Sequence, residues 1–261
     1  MNGQPGSGLR VLLTRPQHQA GPLDKAIADA GGEVIAFPVM DIVPRERAAI
    51  AKDLAALRAA DIVIFVSPNA VEYGLVATAN AGSVAAIGAA TAAALEAAGC
   101  TVDIVPESGF DSEALLQEPA MQRVSGKRIQ IVRGDGGREL LAATLSARGA
   151  EIDYLPVYQR LPHAASPAEL AALESAWQSC AIDYVIAMSV ASLDFLLELL
   201  PASCRQALPA AALVTPSARV LKTVQARIPA MRTLLSESPA TADLLAAMLA
   251  DRQTRTDELN E

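Results

Sequence analysis

Small hydroxyl residues and glycines, set just after short apolar runs, are the residues of this chain whose spacing could do chemistry. Ser67-Pro68-Asn69, Gly88-Ala-Ala-Thr91, Ser189-Val-Ala-Ser192 and Thr215-Pro-Ser217 all follow runs that read as β-strands and precede helical stretches. Open parallel sheets bind ligands at the carboxyl ends of their strands. There each segment can present a hydroxyl and the free N–H groups of a helix start. Singly, each is an N-cap. Together, Ser67, Asn69, Gly88, Thr91, Ser189, Ser192, Thr215 and Ser217 describe a site rich in donors and poor in fixed positive charge. Such a site holds carboxylates, because backbone dipoles need no net charge to attract an anion.

A second constellation is Arg133-Gly-Asp-Gly-Gly-Arg-Glu139. Gly134, Gly136 and Gly137 can expose backbone N–H groups at a helix start, flanked by Arg133 and Arg138. The segment has no third glycine in the dinucleotide-binding position, where Glu139 stands, and no Lys-Ser/Thr pair for a phosphate loop. It reads equally well as a glycine turn with solvated charges. Arg15 stands, like Arg133, at the end of a first strand. Tyr158 lies in a proline-flanked segment where it can turn a hydroxyl toward a site or simply pack with a polar tip.

Other chemistry is poorly supplied. Two histidines, His18 and His163, and three scattered cysteines, Cys100, Cys180 and Cys204, give no metal-ligand spacing and no histidine base with a nucleophile beside it. The cysteines read as reduced, buried thiols of a cytosolic protein. With 21 Lys+Arg against 29 Asp+Glu the net charge is -8, which argues against phosphate-backbone binding. Aromatics at 3% cannot build a base-stacking platform. No apolar run is long enough to span a membrane or to serve as a signal core. A chain of 261 residues, 52% hydrophobic, has ample material for one large domain or two ordinary ones.

The elements that would position these residues alternate. Strands are predicted at 10–14, 33–37, 61–66, 84–87, 102–105 and 128–133. Helices are predicted at 19–30, 48–60, 91–98 and 111–117, with Ser67 and Pro68 capping another. Asp61-Ile-Val-Ile-Phe-Val66 is apolar on both faces, as a parallel strand covered on both sides requires. The pattern then repeats about 120 residues on. Arg128-Ile-Gln-Ile-Val-Arg133 answers Arg10-Val-Leu-Leu-Thr-Arg15. Leu155-Pro-Val-Tyr158 answers Phe37-Pro-Val-Met40, and Asp183-Tyr-Val-Ile186 answers Asp61-Ile-Val-Ile64. This is a domain-scale duplication. Two arrangements fit: sequential domains split near residue 122, or lobes exchanged across the segments 38–44 and 156–162. In the second, 1–38 with 162–250 makes one lobe and 44–156 the other. The charged residues 251–261 read as a disordered tail.

The ordered set Leu13-Thr-Arg-Pro16, Phe65-Val-Ser-Pro-Asn-Ala70, Ala86-Ile-Gly-Ala-Ala-Thr-Ala92, Pro106-Glu-Ser-Gly-Phe-Asp-Ser-Glu-Ala-Leu115, Val132-Arg-Gly-Asp-Gly-Gly-Arg-Glu139 and Val157-Tyr-Gln-Arg160 resembles the uroporphyrinogen-III synthase family from about residue 9 to 249. Val66 departs from it, standing where threonine is usual. The resemblance implies two α/β lobes, each a parallel sheet flanked by helices, joined by a two-stranded linker with a cleft between. It implies a lyase that takes hydroxymethylbilane, a linear tetrapyrrole with acetate and propionate arms, and closes it with loss of water and inversion of the last pyrrole. It implies no cofactor, no metal, no nucleic acid and no membrane. A cytoplasmic monomer of haem biosynthesis is expected, and a transient contact with hydroxymethylbilane synthase is left open. Tyr158 becomes the catalytic candidate, as a donor to the departing hydroxyl. The alternative is a non-enzymatic two-lobe module that binds tetrapyrroles or anions.

Overall fold

In the computed structural model, residues 8–15, 21–136, 139–179 and 182–260 are described. In chain order they form β1 (Arg10–Leu13), α1 (Gly21–Asp29), β2 (Glu33–Ala36), β3 (Met40–Pro44), α2 (Arg47–Ala56), β4 (Ala60–Phe65), α3 (Pro68–Gly74), β5 (Ala81–Ala86) and α4 (Ala89–Ala97). There follow α5 (Ser112–Gln117), α6 (Pro119–Gln122), β6 (Arg128–Gly134), α7 (Leu140–Ala147), β7 (Glu151–Pro162) and α8 (Pro167–Ser179). The chain closes with β8 (Tyr184–Ile186), α9 (Val190–Leu199), α10 (Ala202–Ala207), β9 (Ala212–Thr215), α11 (Ala218–Arg227), β10 (Arg232–Leu235) and α12 (Thr241–Asn260).

The chain divides into two compact units. The first is Met1–Asp41 with Leu161–Glu261, and the second is Ile42–Arg160. The first holds a five-stranded sheet in the order β10-β9-β8-β1-β2, and the second sheet runs β3-β7-β6-β4-β5. In the first sheet every adjacent pair is parallel, as are β7-β6, β6-β4 and β4-β5 in the second.

The duplication is visible in this topology. Reading β2-β1-β8-β9 beside β7-β6-β4-β5 pairs the strands that the sequence repeat matches. It also reaches single hydrogen bonds. Asp183 Oδ2 accepts from the first N–H of β1, at Arg10 (3.0 Å), and the matched Asp61 Oδ2 accepts from the first N–H of β6, at Arg128 (2.7 Å). A strand-leading aspartate thus caps the neighbouring strand in both copies.

The cores follow from strands that are apolar on both sides. In β4, Val63 and Phe65 enter one cluster, with Val71, Leu95 and Val157. Ile62 and Ile64 enter the other, with Leu115, Ile129 and Leu145. Burial on both faces is what an interior parallel strand needs, and each such side chain is worth about 1.5–3 kcal/mol. In the first unit Leu13, Ile27, Ile186, Val214, Leu244 and Met248 share a core.

One twelve-residue strand, β7, runs from Glu151 through the segment 156–162, and its Val157 carbonyl accepts from Arg45 N–H just beyond β3 (3.0 Å). Two expectations change. Residues 102–105 make only a single bridge, Ala85 to Ile104, because the Asp103 carboxylate takes the Val84 N–H (2.7 Å) in place of a backbone carbonyl. Residues 251–260, expected as a disordered tail, continue α12. Asp251 anchors that stretch, bonding Arg232 (2.6 Å) and the Tyr184 hydroxyl (2.9 Å). Thr254 and Thr256 donate one turn back along the same helix.

Candidate functional site

The second unit brings together the residues with the most chemistry. Ser67 caps α3 from the end of β4. Its backbone is extended, Pro68 follows at the first helical position, and its Oγ accepts from Ala70 N–H (3.1 Å). The same Oγ lies 3.2 Å from the Tyr158 hydroxyl, and either atom can donate. Arg160 Nη2 donates to that hydroxyl as well (3.0 Å), and its guanidinium carbon stands 5.5 Å from the centre of the Tyr158 ring. The Tyr73 ring tilts against the Tyr158 ring, ring centres 6.3 Å apart.

Tyr158 itself is fully buried, at 0% exposure. Of the two readings of this residue, a hydroxyl turned toward a site or a packed ring with a polar tip, the ring is a core side chain and its oxygen is held by two polar partners. The register explains this. β7 slips by one residue against β6 between Arg133 and Gly134, so that Gly134 faces Tyr158. Gly134 has no side chain to obstruct the ring: a Cβ there would stand 2.5 Å from Tyr158 Cε2. Asp135 N–H then bonds the Tyr158 carbonyl (2.8 Å) and fixes the backbone. Gly134 therefore admits the tyrosine.

The rest of the glycine loop serves Arg133. That side chain is nearly buried, donates from Nε to the Gly136 carbonyl (3.1 Å) and pairs with Glu139 (3.0 Å). Its guanidinium lies 4.8 Å over the Tyr154 ring, and the Tyr154 hydroxyl donates to Glu139. The Tyr154 hydroxyl and Arg133 hold the Glu139 carboxyl below its usual range. Gly136 takes φ +65°, the left-handed region that favours glycine. Gly137 and Arg138 lie outside the described residues. At the end of the adjacent strand β5, Gly88 and Thr91 are both buried. Gly88 is pressed by the backbone of Phe110, whose Cα would be 2.7 Å from an added Cβ. Asn69 is half-buried and already partnered.

The first unit carries a matching set at its strand ends. Ser189 and Ser192 form a full capping box at the start of α9, with Ser189 Oγ accepting from Ser192 N–H and Ser192 Oγ from Ser189 N–H. Thr215 is fully buried and accepts from Ser217 N–H (3.2 Å). Ser217 caps α11 by accepting from Val220 N–H (3.4 Å). Arg15 reaches from the end of β1 to Met188 Sδ and the Pro239 carbonyl, each at 3.3 Å, and burial lowers its pKa below the usual guanidinium range. Most of these hydroxyls already accept from a backbone N–H at a helix start, which occupies a lone pair and leaves the O–H proton to donate.

Arg160 is the residue that reading for strand-end hydroxyls overlooks. The available signal is period two: positions 158 and 160 of one strand share a face. Among the described residues no group of three or more His, Cys, Asp or Glu side chains could hold a metal ion. None of their helices is long and apolar enough to cross a membrane. Cys100 and Cys204 are free thiols, and burial pushes the Cys204 thiol up; His18 and Cys180 lie outside the described residues.

Fold and site define a duplicated α/β protein whose hydroxyls, amides and guanidiniums gather at the carboxyl ends of two parallel sheets. The profile of the family described as "Uroporphyrinogen-III synthase HemD" matches residues 21–246, and the chain belongs to that family. The uroporphyrinogen-III synthase of Salmonella typhimurium is 39% identical over 169 residues, covering 58% of this chain and 65% of that protein, just under two thirds of its length. That of Escherichia coli is 32% identical over 201 residues, covering 74% and 80%. Among solved structures, a mutant uroporphyrinogen III synthase from the extremely thermophilic bacterium Thermus thermophilus aligns with a TM-score of 0.62 at 20% identity, over 95% of this chain and 100% of that one. The Helicobacter pylori enzyme aligns with 0.61 at 14%, over 93% and 99%. At those identities the likeness speaks for the fold.

Proposed function

We propose that this protein is a uroporphyrinogen-III synthase, closing hydroxymethylbilane to uroporphyrinogen III as a cytoplasmic monomer. The observation that carries the reading is the Ser67–Tyr158–Arg160 cluster at the strand ends of the second unit, in a chain whose family is named for this reaction.

The chemistry asks for little acid–base power. Loss of the terminal hydroxyl as water leaves an azafulvene, a step that the electron-rich pyrrole drives largely by itself. Unassisted closure gives the uninverted isomer. The protein must hold the chain so that the substituted carbon of the last ring attacks the azafulvene carbon to give a spiro intermediate; the older bond from that ring carbon to its methylene then breaks, and the free α-carbon of the turned ring closes onto that methylene with loss of a proton. That is catalysis by positioning. Tyr158 donates a hydrogen bond to the departing hydroxyl. In the second unit Ser67, Asn69, Gly88, Thr91 and the segment 133–138 are the candidates to hold substrate carboxylates; in the first, Arg15, Ser189, Ser192, Thr215 and Ser217 are. Keeping water from the azafulvene is the other requirement. The Tyr73 ring and the Arg160 guanidinium hold the Tyr158 ring, so its hydroxyl is placed with little further loss of entropy.

The deciding experiment is isomer analysis. Hydroxymethylbilane is generated in place by its own synthase, this protein is added, the product is oxidised, and the uroporphyrin isomers are separated by chromatography. Mostly isomer III is expected. Only isomer I, equal to the blank, from folded protein rejects the enzyme and leaves a tetrapyrrole-binding module.

A further inference from the structure

Two half-buried guanidiniums at strand carboxyl ends have no carboxylate partner among the described residues. One is Arg15, already counted among the candidates. The other is Arg160, whose one hydrogen-bond partner is the Tyr158 hydroxyl. Other half-buried guanidiniums are spent on acids or on carbonyls: Arg45 on Asp53, Arg128 on Glu151, Arg232 on Asp251, and Arg148 on the Leu116 and Met121 carbonyls. Arg160 has neither an acid nor a carbonyl, only the phenol oxygen. A guanidinium has five N–H donors in a planar fork, and a phenol oxygen engages only one of them. The remaining edge has the geometry of a bidentate carboxylate contact.

Hydrogen-bond direction adds a second point. Arg160 can only donate, so it occupies a lone pair of the Tyr158 oxygen. Ser67 Oγ already accepts from Ala70 N–H and can turn its own proton toward the same oxygen. With both partners donating, the Tyr158 proton is left for a third group. Removing Arg160 vacates a lone pair of the phenol oxygen and takes away a contact that orients the hydroxyl.

Resting on the reading of this site as a tetrapyrrole site, we propose that Arg160 binds one substrate carboxylate while its Nη2 holds the Tyr158 oxygen. It is then a substrate-binding and positioning residue that ties anchoring of the substrate to orientation of the phenol.

Arg160→Met keeps the stem against the Tyr158 ring and removes the fork. Arg160→Lys keeps the charge and removes the fork. Each is compared with wild type for KM, kcat and isomer ratio, and for the Kd of uroporphyrin III by fluorescence titration, which needs no turnover. For Arg160→Met, KM and Kd are expected to rise about 10–100-fold, the range for losing charged hydrogen bonds. Arg160→Lys should fall between. Tyr158→Phe should lower kcat with KM within about twofold, separating anchoring from orientation. An Arg160→Met protein of unchanged thermal midpoint whose KM and Kd stay within twofold of wild type overturns the inference. Wild type that makes only isomer I, yet binds uroporphyrin III through Arg160, overturns the enzyme reading and leaves Arg160 as the anion contact. Wild type that neither binds nor turns over overturns both.

Discussion

Replacing Gly134 by alanine tests whether this glycine exists to admit Tyr158 or to bare an amide for an anion. The backbone at 134 is not in the left-handed region, so alanine brings no conformational penalty of its own. The effect is steric. The added Cβ would lie 2.5 Å from Tyr158 Cε2, 2.8 Å from Cζ and 3.0 Å from Cδ2. Carbon atoms rest at about 3.5–4.0 Å, so the ring must retreat by roughly 1 Å. It cannot do so freely, because it is wholly buried against Tyr73 and tied at its hydroxyl to Ser67 and Arg160. Overpacking of this kind costs about 1–3 kcal/mol. In a chain of this size that lowers the thermal midpoint by about 2–4 °C per kcal/mol. The same displacement stretches both hydroxyl contacts, and a misplacement of about 1 Å can cost roughly 10²-fold in rate. The assay is a double-mutant cycle on thermal midpoint with Tyr158→Leu, which deletes Cε2 and Cζ. Gly134→Ala should destabilise wild type and do little in the Tyr158→Leu background. An equal small effect in both backgrounds, with substrate binding weakened, would refute the steric argument and return Gly134 to the anion loop.

Other outcomes follow from single contacts. Tyr158→Phe keeps the buried ring and should slow turnover by roughly 10²-fold, the scale of one preorganised donor lost, while product drifts toward isomer I; unchanged rate and isomer ratio would remove its role. His163 sits between Asp41 (3.0 Å) and Glu169 (3.3 Å), whose carboxylates raise its pKa above 6.5 against the opposing effect of desolvation, while the Ser166 N–H and hydroxyl, with His163, hold Glu169 at about 2. The raised histidine stabilises fully below pH 6.5 and stops doing so as pH rises through its native pKa; the lowered Glu169 stabilises above pH 4.5 and stops as pH falls toward 2. The midpoint difference between wild type and His163→Gln should therefore be largest between pH 4.5 and 6.5, and a difference independent of pH would refute the coupling. Asp61→Ala and Asp183→Ala each strip the acceptor from a strand's first N–H and should each cost about 0.5–2 kcal/mol in urea unfolding.

Much of the fold is legible because parallel strands leave an unmistakable residue pattern. Ala60–Phe65 is apolar at nearly every position, Ser67-Pro68 announces the following helix, and the strand-leading aspartates recur with the repeat. What stays hidden depends on partners far away in sequence. The last turns of α12 look like a solvated tail, since their stability comes from Asp251 reaching Arg232 and Tyr184. The burial of Tyr158 depends on a slipped register opposite Gly134, which no local pattern encodes. Residues 102–105 have strand composition, yet a single aspartate side chain usurps the ladder. Strand-end hydroxyls are easy to nominate, and most turn out to be engaged in caps.

The duplication also shows one unit keeping a hydroxyl contact that the other spends locally. Both units carry a serine cap after the strand led by the matched aspartate, Ser67 in the second and Ser189 in the first. In the first, the capping serine closes a box with Ser192 and its hydroxyl is absorbed locally. In the second, the helix has no such serine three residues on, where Ala70 stands, so Ser67 keeps capacity for a partner across the sheet. The partner is Tyr158, where the first copy has Met40. The phenol beside the cap needs the glycine at 134 for room and takes a hydrogen bond from Arg160, and these residues fall on two adjacent strands of one sheet. The capping-box difference alone makes the second copy the one in which a new hydroxyl contact could arise without undoing a helix start.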